Sequence, residues 1–532
     1  MAADLLIKGA WVIDGTGAPR RRADIAVEDG VIVSDAATAD RVIDAEGLVL
    51  APGFIDMHAH SDLAVLTEPE HLAKISQGVT CEVLGQDGLS YAPVDDRTLA
   101  ALRRQLAGWN GDPAGFDWDW RGVGEYLDRL DRSHLAANAC YLVPHGTLRA
   151  LVVGWDDRPA TPQQLDRMRE LLDQGLSEGA VGMSTGLTYT PGMYADSAEL
   201  AALCEVVAAR GGYHCPHTRS YGAGALAAYA EVIELSRQTG CGLHLTHATM
   251  NFGVNEGRAG EFLALVDAAL AGGVDLTLDS YPYLPGSTTL AALLPSWATE
   301  GGPAATLARL LEPPAREAIR VAVEETGSDG CHGVVADWRT VQISGVRNPD
   351  LADTVGLTVQ QIADRWGSTG TAAFLELLVR DELATGILQH VGHEQNVREI
   401  MQHPAHCVGS DGLLAGARPH PRAWGTFPRC LGHYARELGV LTLEQTVARM
   451  TGRPARRLGL TRRGLIRDGY AADLVLFDPA TVRDTATFEQ PRQQAEGIPW
   501  VWVGGVGVIE DGKATGARPG RALRRQADGG VR

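Results

Sequence analysis

Apolar residues change their rhythm along this chain. At the start they alternate with polar ones between Gly breaks, in LLIKGAWVID, ADIAVEDGVIV and RVIDAEGLVLAPG. Such alternation predicts short antiparallel strands. The end of the chain has the same texture, in GLIRDGYAADLVLFDP and WVWVGGVGVIEDGKATG. The two strand-rich ends, 1–52 and 464–532, are expected to form one small β domain. The chain leaves it near Pro52 and returns near Gly464.

Between them, over 53–463, short apolar runs end in polar or Gly-rich residues and alternate with helical segments. The runs are FIDMHAHSD, VTCEVLGQDG, AANACYLVPHG, AVGMSTGLTYTPG, GYHCPHTRS, CGLHLTHATM, VDLTLDSYPY and HCVGSDG. In TPQQLDRMRELLDQGLSEG, Leu165, Met168, Leu171, Leu172 and Leu176 share one helical face behind an N-cap at Thr161. SAELAALCEVVAARGG and GALAAYAEVIELSRQTGC repeat that form and stop at Gly. Strand–helix alternation on this scale predicts an α/β fold, a (β/α)8 TIM-type barrel. The spacing is regular as far as Tyr283, and a long stretch then precedes the run at Val408. A structureless loop of that length does not suit a compact domain. Roughly 288–390 is therefore expected to be an inserted subdomain over the barrel mouth.

Composition narrows the function. The 532 residues carry a net charge of −19, which repels phosphate backbones and argues against nucleic acid as a partner. No stretch approaches the roughly 20 apolar residues of a membrane span, and the start lacks a signal-peptide pattern. The reading is a cytoplasmic protein with a small-molecule substrate and no membrane partner; assembly into a homo-oligomer stays open. The 8 cysteines form no CxxC pair and read as buried free thiols. Lys8, Lys74 and Lys513 are the only lysines.

A barrel carries its chemistry at the C-terminal ends of its strands. There the sequence places His58 and His60, then Asp87, His145, His217, His247 and Asp411. His58 and His60 are two apart in a strand and face the same side. Imidazoles and carboxylates converging on one mouth point to a metal site. His214 and His244, three residues before His217 and His247, have the wrong parity and are expected to turn away from the axis. Asp87 can bridge two ions or complete one. Asp411 can touch both an ion and its water.

PGFIDMHAHSD, GQDGLSYAP, HTR, LTHATM, DSYPY, VGSDG and HPRAWGTFPRCLGHY together resemble the amidohydrolase superfamily. More closely they are similar to the N-acyl-D-amino-acid deacylases, or D-aminoacylases, over about Leu5 to Leu523. HxH and SDG are superfamily-level signals, whereas HPRxxGTFPRxLGxY is specific to that branch. The resemblance implies a barrel, a small β domain from both termini and an inserted segment over the active site. It implies zinc, one ion or two, with another divalent metal also open. In the family a cysteine on strand two and histidines on strands five and six hold zinc; those positions are Asp87, His217 and His247. His58, His60 and Asp411 match the second, weaker metal position and the catalytic aspartate. Arg422 matches the arginine that grips the substrate carboxylate, and Tyr189 a tyrosine that touches substrate. Tyr281 and Tyr283 are added as substrate-binding candidates, with core packing as the other account. Two departures stand out: Asp87 replaces the family cysteine, and Thr249 replaces a family lysine.

The lysine count adds one exclusion. Related binuclear enzymes bridge their metals with a carbamylated lysine, and none of the three lysines ends a mid-barrel strand. A carboxylate bridge by Asp87 is expected instead. The implied activity is hydrolysis of the amide of N-acyl-D-amino acids, with Asp411 as general base and then acid. A related amidase, D-dipeptidase or lactonase is the second reading, and a non-catalytic scaffold the third.

Overall fold

The computed structural model describes residues 3–34 and 38–532. Eight parallel strands form its centre: β1 (Phe54–Asp56), β2 (Val79–Leu84), β3 (Asn138–Pro144), β4 (Gly182–Gly186), β5 (Tyr213–His217), β6 (Gly242–Leu245), β7 (Leu276–Ser280) and β8 (His406–Val408). Each pairs with the next in chain order, from β1 through β8. Every apolar run singled out in the sequence contains one of them. The strands are buried on both faces, which is why they read as continuous apolar runs. The helix Pro162–Ser177 starts with a Thr161–Gln164 capping box and buries Met168, Leu172 and Leu176. The helix Ala225–Thr239 ends at Gly240, whose φ of 68° is the left-handed conformation that favours glycine.

The barrel closes between β1 and β8 through a few bonds. Met57 N donates to the Val408 carbonyl at 3.3 Å, and Asp411 N donates to the His58 carbonyl at 2.8 Å. Beneath these lies a buried charge cluster. Asp56 accepts from the backbone N–H groups of His58 (3.1 Å) and Ser410 (2.8 Å). Its other oxygen accepts from Lys74 Nζ (2.6 Å) and Ser410 Oγ (2.6 Å). Lys74 and Asp56 are both fully buried. An ion pair at such depth is retained only if its remaining hydrogen-bonding capacity is met. Lys74 meets it by also donating to Ser410 Oγ at 2.8 Å.

A second, 9-stranded sheet joins the two ends of the chain. Val49–Pro52 pairs with Ala3–Val12 on one side and with Leu474–Phe477 on the other. Trp500–Val503, Val506–Glu510 and Lys513–Ala514 extend the sheet as a meander. The sequence predicted antiparallel strands throughout the N-terminal part, and the structure corrects this. Ala39–Asp44 and Val49–Pro52 both run parallel to Ala3–Val12. Alternation reports which face is buried, not strand direction. Residues 520–531 leave the sheet and return to the barrel, where Leu523 N donates to the Ala139 carbonyl of β3.

The stretch after β7 is structured. Gly286–Thr289, Gly386–Gln389 and Val341–Gly345 form a 3-stranded antiparallel sheet. Helices Val359–Trp366 and Gly370–Arg380 pack beside it around Leu290, Ile343, Ile362, Phe374 and Ile387. Its edge, with Ser287 and Thr288, leans over the barrel mouth. All 8 cysteines are buried and unpaired. Among the described residues no helix is long and apolar enough to cross a membrane.

Breaking the buried pair at the seam tests its role. Lys74→Met leaves Asp56 charged and uncompensated, so it should destabilise the fold by about 3–5 kcal/mol. Chemical denaturation of the purified variant measures this; an unchanged midpoint would remove Lys74 from the account of the seam.

Candidate metal centre

The residues that meet at the barrel mouth come from the ends of β1, β2, β5, β6 and β8. Two groups of side chains share one member. His58, His60, Asp87 and Asp411 form the first, and Asp87, His217 and His247 the second; ligand atoms within each group lie within 4.8 Å of one another. Asp87 is the hub. Its Oδ1 stands 3.5 Å from His58 Nε2 and 3.4 Å from His247 Nε2. Its Oδ2 stands 3.3 Å from His217 Nδ1 and 3.5 Å from His60 Nε2. Four imidazoles thus face one buried carboxylate.

Local backbone geometry delivers these groups. Asp87, His247 and Asp411 have φ values of 53°, 27° and 49°. Non-glycine residues held at positive φ cost about 1–3 kcal/mol each and cluster at functional sites. The Asp87 turn is fixed by Gly88 N, which donates to Ser184 Oγ at 3.0 Å, and by Gln86 Nε2, which donates to the Met57 carbonyl at 2.8 Å. It also leans directly on β4. A Cβ on Gly186 would lie 2.0 Å from the Asp87 carbonyl oxygen, so only glycine permits that approach.

The histidines are aimed by their other atoms. His217 Nε2 is hydrogen-bonded to Thr188 Oγ1 at 2.7 Å, which turns Nδ1 toward Asp87 and His247. Asp279, on β7, accepts from His247 N at 2.9 Å and faces His58 Nδ1 at 3.8 Å. His244 Nε2 holds the same carboxylate at 2.9 Å. Such outer partners set the orientation and basicity of ligating imidazoles.

The donor set fits a divalent cation. His217 Nδ1 and His247 Nε2 are 3.0 Å apart, and His58 Nε2 and His60 Nε2 are 3.2 Å apart. Nitrogens crowded this closely around carboxylates suit a shared positive charge. Asp87 Oδ1 is buried with no hydrogen-bond partner. The field has the matching sign. Burial opposes charge on His60, but hydrogen bonds to Asp411 and Asp87 outweigh it and raise its pKa to about 10. Burial also opposes charge on Asp87, yet the fields of His247, His58 and His217 hold its carboxyl well below the usual range. Asp411 is likewise depressed against the cost of burial, chiefly by Arg422 and His58.

Arg422 is fully buried and stands behind Asp411, with Nη2 2.8 Å from Asp411 Oδ2. Its guanidinium carbon lies 4.3 Å from the centre of the Tyr281 ring. Its Nε and Nη1 have no partner. Tyr189 and Tyr281 line a cavity that Asp87, His217, His247 and Asp411 also line. Tyr283 does not join them. Tyr281 and Tyr283 lie beyond the end of β7, where strand parity no longer applies, and the Tyr283 hydroxyl turns to Asp484 at 3.3 Å.

His145 also departs from its expected place. It begins the helix His145–Val152, and its Nε2 pairs with Glu199 at 2.8 Å, outside both metal groups. His214 and His244 stay out of the metal groups, but only His214, on Thr185 Oγ1 at 2.9 Å, turns away from the axis as expected; His244 faces inward onto Asp279 at 2.9 Å. The sequence reading gave no role to Asp56, Lys74, Asp279 or His332, the last of which lines the same cavity. Asp56 stands two residues before His58, and Asp279 ends a barrel strand like Asp87 and Asp411. Those signals were available. Lys74 and His332 carry no such signal, because tertiary packing alone brings them to the site.

The fold and this site define the class, and sequence comparison agrees. The amidohydrolase family model matches residues 41–509, and the chain belongs to that family. It is 39% identical to the N-acyl-D-glutamate deacylase of Alcaligenes xylosoxydans xylosoxydans, covering 98% of this chain and 97% of the relative. It is 37% identical to the D-aminoacylase of the same organism, covering 98% of each. Among solved structures, the N-acyl-D-glutamate deacylase of Bordetella bronchiseptica superposes with a TM-score of 0.84 at 36% identity, over 98% of this chain and 100% of the other. That protein was crystallised with zinc and a phosphonate inhibitor that mimics the tetrahedral intermediate.

Removing the hub should empty both groups. Asp87→Ala is expected to lower bound zinc by more than half relative to the parent after equal exposure. Metal analysis of the folded variants reads this, and unchanged zinc content would show that Asp87 is no ligand.

Proposed function

We propose that the chain hydrolyses the amide bond of N-acyl-D-amino acids at the Asp87 centre, with Asp411 moving the proton. The chain is a metal-dependent amidohydrolase. Zinc would be held by His58, His60, Asp87, His217, His247 and Asp411, with Asp87 shared between the two groups. An ion bound there supplies the positive charge that makes water more acidic and offsets negative charge on the carbonyl oxygen.

The position of Asp411 carries the reading. Its Oδ1 lies 3.1 Å from His60 Nε2, at the metal groups, and its Oδ2 lies 2.8 Å from Arg422 Nη2. One carboxylate therefore links the place where water is activated to the place where substrate is gripped. Asp411 takes a proton as water adds to the amide carbon, then returns it to the nitrogen as the C–N bond breaks. Arg422 has two unpartnered donors in its planar fork, which suit a substrate carboxylate. The Tyr281 ring holds the guanidinium plane in place. Tyr189, packed 4.7 Å from the His217 ring, walls the cavity beside that histidine. The inserted sheet covers the mouth with Ser287 and Thr288 and so limits access of bulk water.

The test is amine release from matched N-acetyl-D- and N-acetyl-L-amino acids by the zinc-loaded protein. Turnover of the D series is expected; turnover of the L series alone would overturn the substrate assignment. Asp411→Asn should keep at least one zinc and lose roughly 10³-fold in kcat, within the range for a removed general base. An Asp411→Asn variant that retained zinc and full turnover would refute the proton-transfer role.

A further inference from the structure

The charges around the cavity and an adjoining apolar space bear on which acyl amino acids fit; this inference rests on the deacylase reading above. Among the described residues, Arg422 is the one arginine or lysine that reaches the metal centre. Lys74 is consumed by Asp56 beneath the seam. Arg219, the nearest arginine in sequence to His217, turns away to Glu231 and to the carbonyls of Met193 and Ala195. Away from the metal ligands the cavity lining holds no arginine or lysine: Thr249, Asn251, Ser287, Thr288 and Gln389 are polar and uncharged, His332 adds an imidazole, and Arg422 itself lies behind Asp411 and Tyr281 with Nη2 3.4 Å from the Ser287 carbonyl. Thr249 Oγ1 is already committed to Asn251 Oδ1 at 2.6 Å. Asp87 and Asp411 add two negative groups to the same space. A substrate with one carboxylate finds Arg422. A second carboxylate would enter a buried site with no cation left to pair with it, which is strongly unfavourable.

A second cavity lies directly beside the first. Thr188, Tyr189 and Ala292 line both. The second space is walled by Leu106, Trp109, Trp155, Met193 and Leu294. Trp109 packs against the His60 ring at 5.2 Å and against Tyr189 at 4.9 Å, so this apolar space reaches the edge of the metal centre. Its walls come from the segment before β3, the segments after β3 and β4 and the inserted subdomain, and they contain no charged side chain.

We infer that this chain selects N-acyl-D-amino acids whose side chain is neutral, and that the Trp109–Trp155 cavity receives an apolar group of the substrate. That group is either the amino-acid side chain or the acyl chain, since both present the same hydrocarbon to the cavity. The selection is one of charge. One relative is named for D-glutamate and another for D-amino acids generally, and similar identities of 39% and 37% do not separate them. The charges that line the cavity do.

The experiment uses the full-length zinc-loaded protein and compares kcat/KM for N-acetyl-D-leucine, N-octanoyl-D-alanine, N-acetyl-D-alanine, N-acetyl-D-glutamate and N-acetyl-D-aspartate. The neutral substrates should exceed the acidic pair by about 100-fold or more, the scale set by leaving a buried charge unpaired. Met193→Trp fills the apolar space from a half-buried position outside the catalytic machinery. It should slow N-acetyl-D-leucine or N-octanoyl-D-alanine at least tenfold while sparing N-acetyl-D-alanine. Loss on the first identifies the side chain as the occupant, and loss on the second the acyl chain. Hydrolysis of N-acetyl-D-glutamate as fast as N-acetyl-D-leucine would overturn the charge selection. Rates unchanged from the parent on all three neutral substrates in folded Met193→Trp would overturn the role of the cavity. Absence of turnover on the whole panel would overturn the deacylase reading itself, and the selection with it.

Discussion

The site depends on how the barrel closes between its first and last strands. That seam has few ladder bonds of its own, and Asp56 strengthens it by binding the backbone of both sides at once. His58 and His60 follow Asp56 on one side, and Asp411 follows Ser410 on the other. The hydrogen bond from Asp411 N to the His58 carbonyl sets the spacing between a metal ligand and the proposed base. Closure of the fold and assembly of half the metal centre are therefore one event. A buried lysine beneath the seam makes sense in these terms: it neutralises the carboxylate that joins the two strands.

The other half of the centre is organised by Asp87. Its position is expensive, at positive φ and without a hydrogen-bond partner for one buried oxygen. The surrounding turn over-determines that conformation through Gln86, Gly88 and the close approach to Gly186. A carboxylate is short, has two oxygens and can face two groups of imidazoles together. Here it faces four ring nitrogens at 3.3–3.5 Å. Asp279 supplies the complementary support from below, holding the His247 backbone and facing His58. The two acids divide the work, one between the histidines and one behind them.

Much of this was legible in the sequence because barrel strands are short and end in their chemistry. The eight apolar runs located the strands, and the polar residues closing them located His58, His60, Asp87, His217, His247 and Asp411. The parity argument turned His214 away from the axis correctly, but it missed that His244 faces inward onto Asp279. Tyr283, read as either a substrate contact or a packing residue, lies beyond the strand end at Ser280 and turns its hydroxyl to Asp484. His145, expected at the end of a barrel strand, starts a helix and is captured by Glu199. Strand direction in the terminal sheet was illegible for a different reason: alternation is blind to it. Lys74 looked like an irrelevant lysine, since its value arises from Asp56 and Ser410, the latter more than 300 positions away.

The account turns on Asp87 as the element shared by the two groups of ligands. Anomalous diffraction from crystals of the zinc-loaded protein tests this most directly. The account predicts zinc at one or both groups, with an Asp87 oxygen within about 2.0–2.2 Å of every ion present. Zinc held by His58 and His60, or by His217 and His247, with the Asp87 carboxylate turned away from it, would contradict the account.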